Sequence, residues 1–415
     1  MTTLAGTPAE PRTRAKHEAA VGISCTEFRT FDELTLRRQE WDRFVEAVGG
    51  DIYFSYDWCR LWWNYYGGGR QLRILVFRRG VDIVGLLPLV LERLWLGPVP
   101  VRVAKFAGAD STIVVLNPAV RPEYAHVTYR DALRYLLEEC RCDVVYLGPL
   151  SGERPHCANI VTACDELHDE AQVMHAGAFG VHTVIALPNT MEEYLAGLSK
   201  SERGNYRRDV RNLTKDYAVR FEVVPPEQAE QGFEEFVRLH TAQWRHEGKL
   251  GHFGDWPRSV EFNRELVQAL APRGQVRLAR LLADEIAAQI EFSLSFGQSE
   301  YWRLPARRIG SWERYGVGRV ARVERFAAAI AKGVRRVEAG PGHYEYKLKL
   351  GGREFPLESV LISANRSLAI AKARTLCSAA ALLNLLYYRI WFCRLAPRFP
   401  LFRRPLWKTW IRWCR

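Results

Sequence analysis

The spacing of apolar positions along the chain predicts a protein of mixed helices and strands. Two stretches consist of short apolar runs joined by a charged turn, and these predict β-hairpins at 67–93 and 273–297. Apolar residues at helical spacing predict helices at 31–48, 58–66, 129–140, 199–215, 226–247, 257–270 and 320–332. The pattern is typical of the α/β class with mixed sheets.

The two hairpins belong to an internal repeat with an offset of about two hundred residues. The triplets QLR at 71–73 and QVR at 275–277 begin the first strand of each hairpin. Further along, VYLGP at 145–149 and VEAGP at 337–341 each follow a predicted helix. This shared order predicts a duplicated α/β domain, with one copy at 22–182 and the other at 183–365. Outside the two copies we expect a disordered leader at 1–21 and a tail at 366–415.

The net charge of the protein is concentrated in the tail. The 415 residues carry a net charge of +12. Residues 366–415 contain eleven Lys or Arg and no Asp or Glu, which leaves a charge of +1 for the first 365 residues. A near-neutral body argues against DNA as a partner and favours a localised anionic partner for the tail.

The tail combines these cations with tryptophan. Trp391, Trp407, Trp410 and Trp413 alternate with arginine and lysine, and this combination is typical of helices that lie on anionic lipid. The apolar run at 375–388 is shorter than the roughly 20 residues of a spanning helix. We therefore expect a helical tail on a membrane surface; a helix packed on the body is the alternative.

The remaining composition indicates the compartment. The nine cysteines are scattered, without a CxxC pair or the spacing of metal ligands. The first twenty residues lack the apolar run of a secretory signal. We expect a cytoplasmic protein without a metal, peripheral on the inner face of the plasma membrane.

A row of cations lies on one predicted helix. Lys200, Arg203, Arg207 and Arg211 are spaced by three or four residues, which places them on one helical face. Such a face can hold phosphates, although a solvated surface helix has the same pattern. The candidate substrate-binding residues are Lys200, Arg203 and Arg207, together with Trp302.

The segment RYGVGR at 314–319 leads into another predicted helix. Glycines before a helix expose backbone N–H groups at its positive end, which favours pyrophosphate. A plain helix-start turn has the same pattern. The candidate cofactor-binding residues are Arg314, Gly316, Val317, Gly318 and Arg319.

Two further places hold candidate catalytic side chains. The segment GPGHYEYK at 340–347 ends a predicted strand, where ligand sites of α/β domains gather, and presents His343, Tyr346 and Lys347. Glu291 lies inside an apolar strand. In a cleft, such a carboxylate is suited to take a proton from an attacking amine; a solvated strand face is the alternative.

Four of these features together resemble the GNAT acyltransferases of the CelD type, associated with cellulose and exopolysaccharide synthesis, and their Fem-like relatives. The features are the segment from FSYDW to LWW at 54–63, SKSERGNYRR at 199–208, YGVG at 315–318 and GPGHYEYK at 340–347. In this order they cover the two predicted domains.

The resemblance implies tandem GNAT folds, of which the second carries the donor site. It implies transfer of an acyl group, acetyl in the simplest case, from acyl-CoA to an amine or hydroxyl of a sugar, lipid-linked or small-molecule acceptor. Attack on the thioester is direct, with backbone N–H groups of the hairpin polarising the carbonyl. Glu291 or His343 is the expected base, and Tyr346 the expected proton donor to the leaving thiolate.

One departure from the family pattern concerns the donor. The GNAT phosphate loop has Gln or Arg three residues before its first glycine, whereas this chain has Glu313 there and Arg314 one residue late. Two alternatives therefore stay open. One is a Fem-like transferase that uses aminoacyl-tRNA, and the other is a non-catalytic membrane-associated module of a polysaccharide machine.

Overall fold

The computed structural model describes residues 22–110, 114–248, 251–396, 398–399, 406, 408 and 411. The predicted leader at 1–21 lies outside the described residues, as do Trp407, Trp410 and Trp413 of the tail. The side chain of Glu313 also lies outside them.

The described residues form thirteen strands in one mixed sheet. Their bounds are β1 Ile23–Phe28, β2 Gln71–Arg79, β3 Asp82–Leu96, β4 Val99–Phe106, β5 Ala119–Val120, β6 Val144–Ser151, β7 Ala171–Ala186, β8 Val219–Val223, β9 Val276–Ala283, β10 Ile286–Phe296, β11 Ser299–Arg307, β12 Arg336–Pro341 and β13 Gly352–Ala364.

Helices connect these strands and cover the sheet. Their bounds are α1 Arg38–Ala47, α2 Tyr56–Tyr66, α3 Ala125–Arg134, α4 His156–Asp165, α5 Met191–Gly197, α6 Lys200–Asp216, α7 Ala229–His246, α8 His252–Asp255, α9 Ser259–Leu270, α10 Val317–Ala331, α11 Glu345–Lys349 and α12 Ser367–Leu382. Two of them continue as π-helical turns, α3 over Tyr135–Glu139 and α12 over Leu383–Leu395.

Local side-chain chemistry sets where several elements begin. Ser199 caps α6 by accepting a hydrogen bond from the N–H of Glu202. The helix predicted at 31–48 begins only at Arg38. Upstream, the hydroxyl of Thr30 accepts the N–H of Glu33, and this local bond competes with the helical one.

The sheet repeats one arrangement from its two ends. From one edge the strand order is β1-β2-β3-β4-β6-β13, and from the other it is β8-β9-β10-β11-β12-β7. In each half the first four strands are antiparallel neighbours, and the fifth runs parallel to the fourth. The predicted hairpins are β2–β3 and β9–β10, which occupy equivalent places. The predicted α/β class and its duplicated order are confirmed.

The two halves exchange their last strands. β13, which follows the second copy in sequence, lies beside β6 of the first half, and β7 lies beside β12 of the second half. β7 and β13 also pair with each other along their length. The predicted boundary between residues 182 and 183 falls inside β7, a strand that both halves use.

The core lies between the sheet and its helices. One continuous cluster includes Trp41, Trp58 and Trp62 of the first half and Phe233 and Phe262 of the second. On the second half, α5 and α10 bury a further cluster of their own, and α6 and α10 bury another. This packing fixes the N-terminus of α10 against α6.

The last long helix packs on the first half of the sheet. Ala373 and Leu376 of α12 are buried against Val101 of β4. With its continuation the helix covers Ser367–Leu395, 29 residues with a mean hydropathy of 1.4 in a window that is 17% buried. It is longer than the apolar run at 375–388, and its length and composition suffice to cross a membrane.

Candidate functional site

Two cavities meet in the second half of the sheet. The first, which we call the α10 groove, has a volume of about 430 Å³ and lies at the start of α10. The second, which we call the central cavity, has about 480 Å³ and is lined by residues of both halves. Pro305, Arg322 and Tyr346 line both, so the two spaces adjoin at these residues.

The α10 groove is built on a glycine that no other residue can replace without strain. Gly316 has φ +63° and precedes the first residue of α10. A Cβ at this position would collide with the carboxylate of Asp209. Gly316, Val317, Gly318 and Arg319, four of the candidate cofactor-binding residues, all line the groove. The positive end of a fifteen-residue helix therefore faces the cavity.

Cations surround this helix N-terminus. Arg307, Arg308, Arg322 and Lys349 line the groove together with Arg319. Arg319 is held by the carboxylates of Asp209 and Glu202. Guanidinium groups beside a helix N-terminus suit the phosphates of a nucleotide.

Arg314 lies elsewhere, which corrects its predicted role in cofactor binding. Its guanidinium is 4.7 Å from the ring centre of Tyr315, and it donates a hydrogen bond to that phenol at 2.5 Å. It is exposed and outside the lining of the groove. The sequence missed Arg307 and Arg308, whose only local signal is a cationic pair at the end of β11.

The central cavity brings together four of the predicted residues. Glu291, Trp302, Tyr346 and Lys347 line it. His343 does not: its ring is exposed, and its Nδ1 lies 2.8 Å from a carboxylate oxygen of Glu354. The turn at Gly342 directs His343 to the surface, which corrects the prediction that it could act as the base.

Glu291 is buried between two arginines. Its Oε1 lies 3.7 Å from Nε of Arg322, and its Oε2 lies 3.6 Å from a guanidinium nitrogen of Arg325. The side-chain amide of Gln289 also donates to Oε1. The alternative of a solvated strand face is therefore excluded, because Glu291 is 4% exposed.

Tyr346 lies where the two cavities adjoin. Burial raises the pKa of its phenol, although Arg322 acts in the opposite direction. The guanidinium of Arg322 lies 4.6 Å from the ring centre. A phenol with a raised pKa keeps its proton at neutral pH and can donate it.

Lys347 is buried beneath the 340–347 turn. Its ammonium donates to the carbonyl oxygens of Gly340 and Pro341 at 2.9 and 3.1 Å. Burial lowers the pKa of Lys347 to about 8, although the nearby Glu338 carboxylate acts in the opposite direction. An amine with this pKa changes charge close to physiological pH.

The cations predicted on α6 lie away from both cavities. The side chain of Arg203 donates to the carbonyl oxygens of Ala196 and Leu198, and so closes the end of α5. Lys200 and Arg207 are exposed and outside the described linings. The opposite face of α6, with Glu202 and Asp209, is the one that meets α10, which corrects the predicted substrate-binding role of the three cations.

Several residues of the central cavity had no signal in the sequence pattern. Glu338 of β12 lines the cavity and is 4% exposed. Its neighbours in space, Ser151 and His182, come from β6 and β7. The exchange of strands brings them together, and neither local spacing nor the repeat predicts it. Within the described residues, no group of three or more His, Cys, Asp or Glu is placed to hold a metal ion.

We predict that replacing Lys347 with Met changes the pH dependence of stability. The pKa of Lys347 falls from 10.5 in the unfolded chain to about 8 in the fold, so between these values the unfolded chain binds more protons. Charging this amine therefore costs the fold ~3 kcal/mol below pH 8, a cost that disappears as pH rises to 10.5.

Chemical denaturation of both proteins from pH 7 to 10.5 measures this effect. The stability of the natural protein relative to Lys347→Met should rise across that window. The lost bonds to two carbonyl oxygens add an offset that does not vary with pH. A difference that stays constant with pH would contradict the lowered pKa.

Comparison with known proteins indicates what this fold is similar to. Residues 200–348 match the family model described as an acetyltransferase (GNAT) domain. The crystal structure of FemX superposes with a TM-score of 0.60 at 11% identity, over 82% of this chain and 99% of that chain. No curated protein matches the chain by sequence.

Two further solved structures have lower scores. The tandem GNAT protein from the clavulanic acid biosynthesis pathway has a TM-score of 0.41 at 13% identity, over 82% of this chain and 98% of that chain. L-PGS from Bacillus licheniformis has a TM-score of 0.47 at 12% identity, over 82% and 97%. Residues 200–348 thus match a GNAT domain, and the chain has a GNAT-like fold similar to that of FemX.

Proposed function

We propose that the protein is an acyltransferase that moves an acyl group, acetyl in the simplest case, from acyl-CoA to an amine or hydroxyl. One observation carries this proposal. A helix N-terminus that begins at Gly316 faces a groove with five cations, and this groove adjoins a cavity that holds Glu291, Tyr346 and Lys347. The groove suits the pyrophosphate of the donor, and the cavity suits the acceptor.

The junction of the two spaces is the place for the thioester. Tyr346 lies there and gives its proton to the leaving sulfur. The ammonium of Lys347 lies on the acceptor side and holds the reacting groups. A β-bulge between β10 and β11 interrupts their pairing between Phe292 and Ser293. Bulges often lie beside active sites and redirect backbone groups. Backbone N–H groups of this hairpin polarise the carbonyl.

The acceptor we propose is a sugar, lipid-linked or small molecule, in exopolysaccharide or cell-envelope synthesis of the CelD type. The cavity is lined by aromatic side chains together with charged ones, including Trp256, Trp302 and Tyr344. Binding sites of this size use such apolar walls with a few polar groups to orient a ligand. Tyr388, in the continuation of α12, also lines the cavity and places the acceptor beside the apolar helix.

We propose that this helix holds the protein on the inner face of the plasma membrane. α12 packs on the sheet through Ala373, Leu376 and Ala380. Only its continuation, Leu383–Leu395, is therefore available to enter lipid. Thirteen residues reach ~20 Å, less than the roughly 30 Å of the hydrocarbon core. Exposed apolar residues on this part of the helix are Leu383, Leu385, Leu386, Ile390 and Leu395, and Leu382 directly before it is exposed as well. A cytoplasmic, peripheral position agrees with this geometry.

Thermal stability in the presence of candidate donors tests the proposed function. A ligand at a hundred times its Kd stabilises the fold by about 2.7 kcal/mol. We expect acetyl-CoA and longer acyl-CoAs to raise the melting temperature, and calorimetry to rank them. Stabilisation by aminoacyl-tRNA alone would replace the proposal with the Fem-like alternative. Stabilisation by neither would favour a non-catalytic module.

A further inference from the structure

Three buried polar side chains connect the interior of the sheet to the central cavity. Ser151 ends β6, His182 lies in β7 and Glu338 lies in β12. Ser151 and His182 are fully buried, whereas Glu338 lines the cavity. The first two come from the first copy of the repeat and the third from the second copy. The carboxylate of Glu338 therefore lies at the cavity end of this row of three side chains, to which both copies of the repeat contribute.

Hydrogen bonds join the three side chains in sequence. The Oγ of Ser151 lies 3.0 Å from Nε2 of His182, and Nδ1 of His182 lies 3.0 Å from Oε1 of Glu338. The N–H of Glu153 donates to the same Oγ at 3.3 Å, and the N–H of Gly340 donates to the same Oε1 at 3.2 Å. One oxygen of Glu338, Oε1, thus receives two hydrogen bonds.

These contacts fix the direction of each bond. A carboxylate only accepts, so Nδ1 of His182 carries the proton that points to Glu338. In the neutral imidazole, Nε2 then accepts, and the hydroxyl of Ser151 donates to it. A ring held in one tautomer by the bond at its other nitrogen has a fixed orientation. The second oxygen of Glu338, Oε2, is left to face other partners.

The nearest cation to Oε2 is already neutralised. A guanidinium nitrogen of Arg336 lies 3.4 Å from Oε2 of Glu338, but the same guanidinium makes bonds of 2.6 and 2.7 Å to the carboxylate of Glu153. The other ionisable groups that face Glu338 are Lys347, Asp51, Tyr53 and Tyr301. Glu291 faces two arginines, one at each oxygen, and of these Arg325 also pairs with Glu300 at 3.0 Å. Glu338 faces one arginine, at Oε2.

We propose that Glu338 takes the proton from the attacking amine or hydroxyl, and that His182, backed by Ser151, is the positioning residue that holds its carboxylate. The proposal rests on the acyl transfer proposed for this cavity. The acceptor nitrogen or oxygen forms a bond to the thioester carbon as the carbon–sulfur bond breaks. Its proton passes to Glu338, and Tyr346 protonates the sulfur. Solvent returns the proton from Glu338 to Tyr346.

Isosteric amides at the two cavity carboxylates separate their roles. We would measure thiol release from acetyl-CoA, with glucosamine as the acceptor and with water alone, in Glu338→Gln and Glu291→Gln. Loss of a general base costs ~10²–10⁴ in rate. We expect a fall of this size in Glu338→Gln, together with loss of the acid limb of the pH–rate profile. In Glu291→Gln that limb should persist.

Two replacements of His182 test the positioning role. The amide N–H of Asn can reproduce the bond from Nδ1 to Glu338. The amide of Gln reaches only the position of Nε2, where its oxygen can accept from the hydroxyl of Ser151. We expect His182→Asn to keep the natural pH–rate profile. In His182→Gln the acid limb should move to higher pH, because the bond that favours the ionised carboxylate is lost. A purely structural role for His182 would leave the limb unmoved in both.

Binding separates failure of this inference from failure of the proposed function. If the natural protein does not bind acetyl-CoA, the acyl transfer itself is wrong and this inference falls with it. If binding is intact and Glu338→Gln turns over at the natural rate, only the inference is overturned. Loss of activity confined to Glu291→Gln would assign the base to Glu291 instead. Equal binding by all variants shows that each is folded.

Discussion

Replacing Gly318 with Trp should abolish binding of acyl-CoA while the protein stays folded. A Cβ on Gly318 would meet Gln289 at 3.4 Å and Arg322 at 3.6 Å, which are ordinary contacts. The residue lines the α10 groove, so a large side chain there would fill the space for the donor. We expect the affinity for acetyl-CoA to fall at least ~100-fold, or about 2.7 kcal/mol. Calorimetry measures it.

Two control variants make this result specific. Gly318→Ala adds only the tolerated Cβ and should keep most of the affinity. Gly204→Trp adds the same ring to α6, where nothing lies within 4 Å of a Cβ, and it should bind normally. Gly316 is unsuitable for this test because a side chain there collides with Asp209. Natural affinity in Gly318→Trp would place the donor elsewhere.

Placing glutamates on the exposed side of the last helix should release the protein from membranes. Leu382, Leu385 and Leu386 are 49–55% exposed, so their replacement leaves the core intact. Each leucine that enters lipid contributes ~1.5 kcal/mol or more. The triple Leu→Glu variant should therefore bind vesicles of equal parts phosphatidylglycerol and phosphatidylcholine ~10³-fold more weakly in a sedimentation assay.

A matched variant controls for the change in charge. Val81, Val99 and Ile286 are exposed on the body, and the same three changes to Glu there should leave vesicle binding nearly unchanged. High salt should weaken binding of the natural protein without abolishing it, because salt screens the cations and not the leucines. Equal binding by both triple variants would refute the anchor. Removal of the helix is a poorer test, because it uncovers Val101 and Val144.

The sequence predicts the local parts of this fold well. The hairpins β2–β3 and β9–β10 follow from apolar runs joined by charged turns, and the turn at Asp284 and Glu285 has the positive φ angles of a tight hairpin. The exchange of β7 and β13 could not be predicted from the sequence. It depends on pairing between strands far apart in sequence, which no local pattern specifies.

In the candidate site, too, local sequence patterns predict some residues and miss others. Gly316 and Gly318 are predicted because helix-start chemistry is local. Glu338 lies in the segment VEAGP, which matches VYLGP of the first copy. The sequence pattern therefore indicates a strand there and gives no sign that Glu338 lines a cavity. His182 and Ser151 become partners only through the exchange of strands. His343 shows the opposite case: it lies three residues before Tyr346 in the same turn segment, yet its side chain is exposed and outside the cavity lining.

The groove at the N-terminus of α10 is the proposed binding site of acyl-CoA. Hydrogen–deuterium exchange of the natural protein, with and without acetyl-CoA, tests it most directly. Bound pyrophosphate should occupy the backbone N–H groups at the start of the helix. We predict slower exchange at Val317 and Gly318, whereas the N–H groups of Arg319, Arg307 and Arg308 already donate within the fold. Unchanged exchange at Val317 and Gly318 under saturating acetyl-CoA would contradict a donor site at this helix.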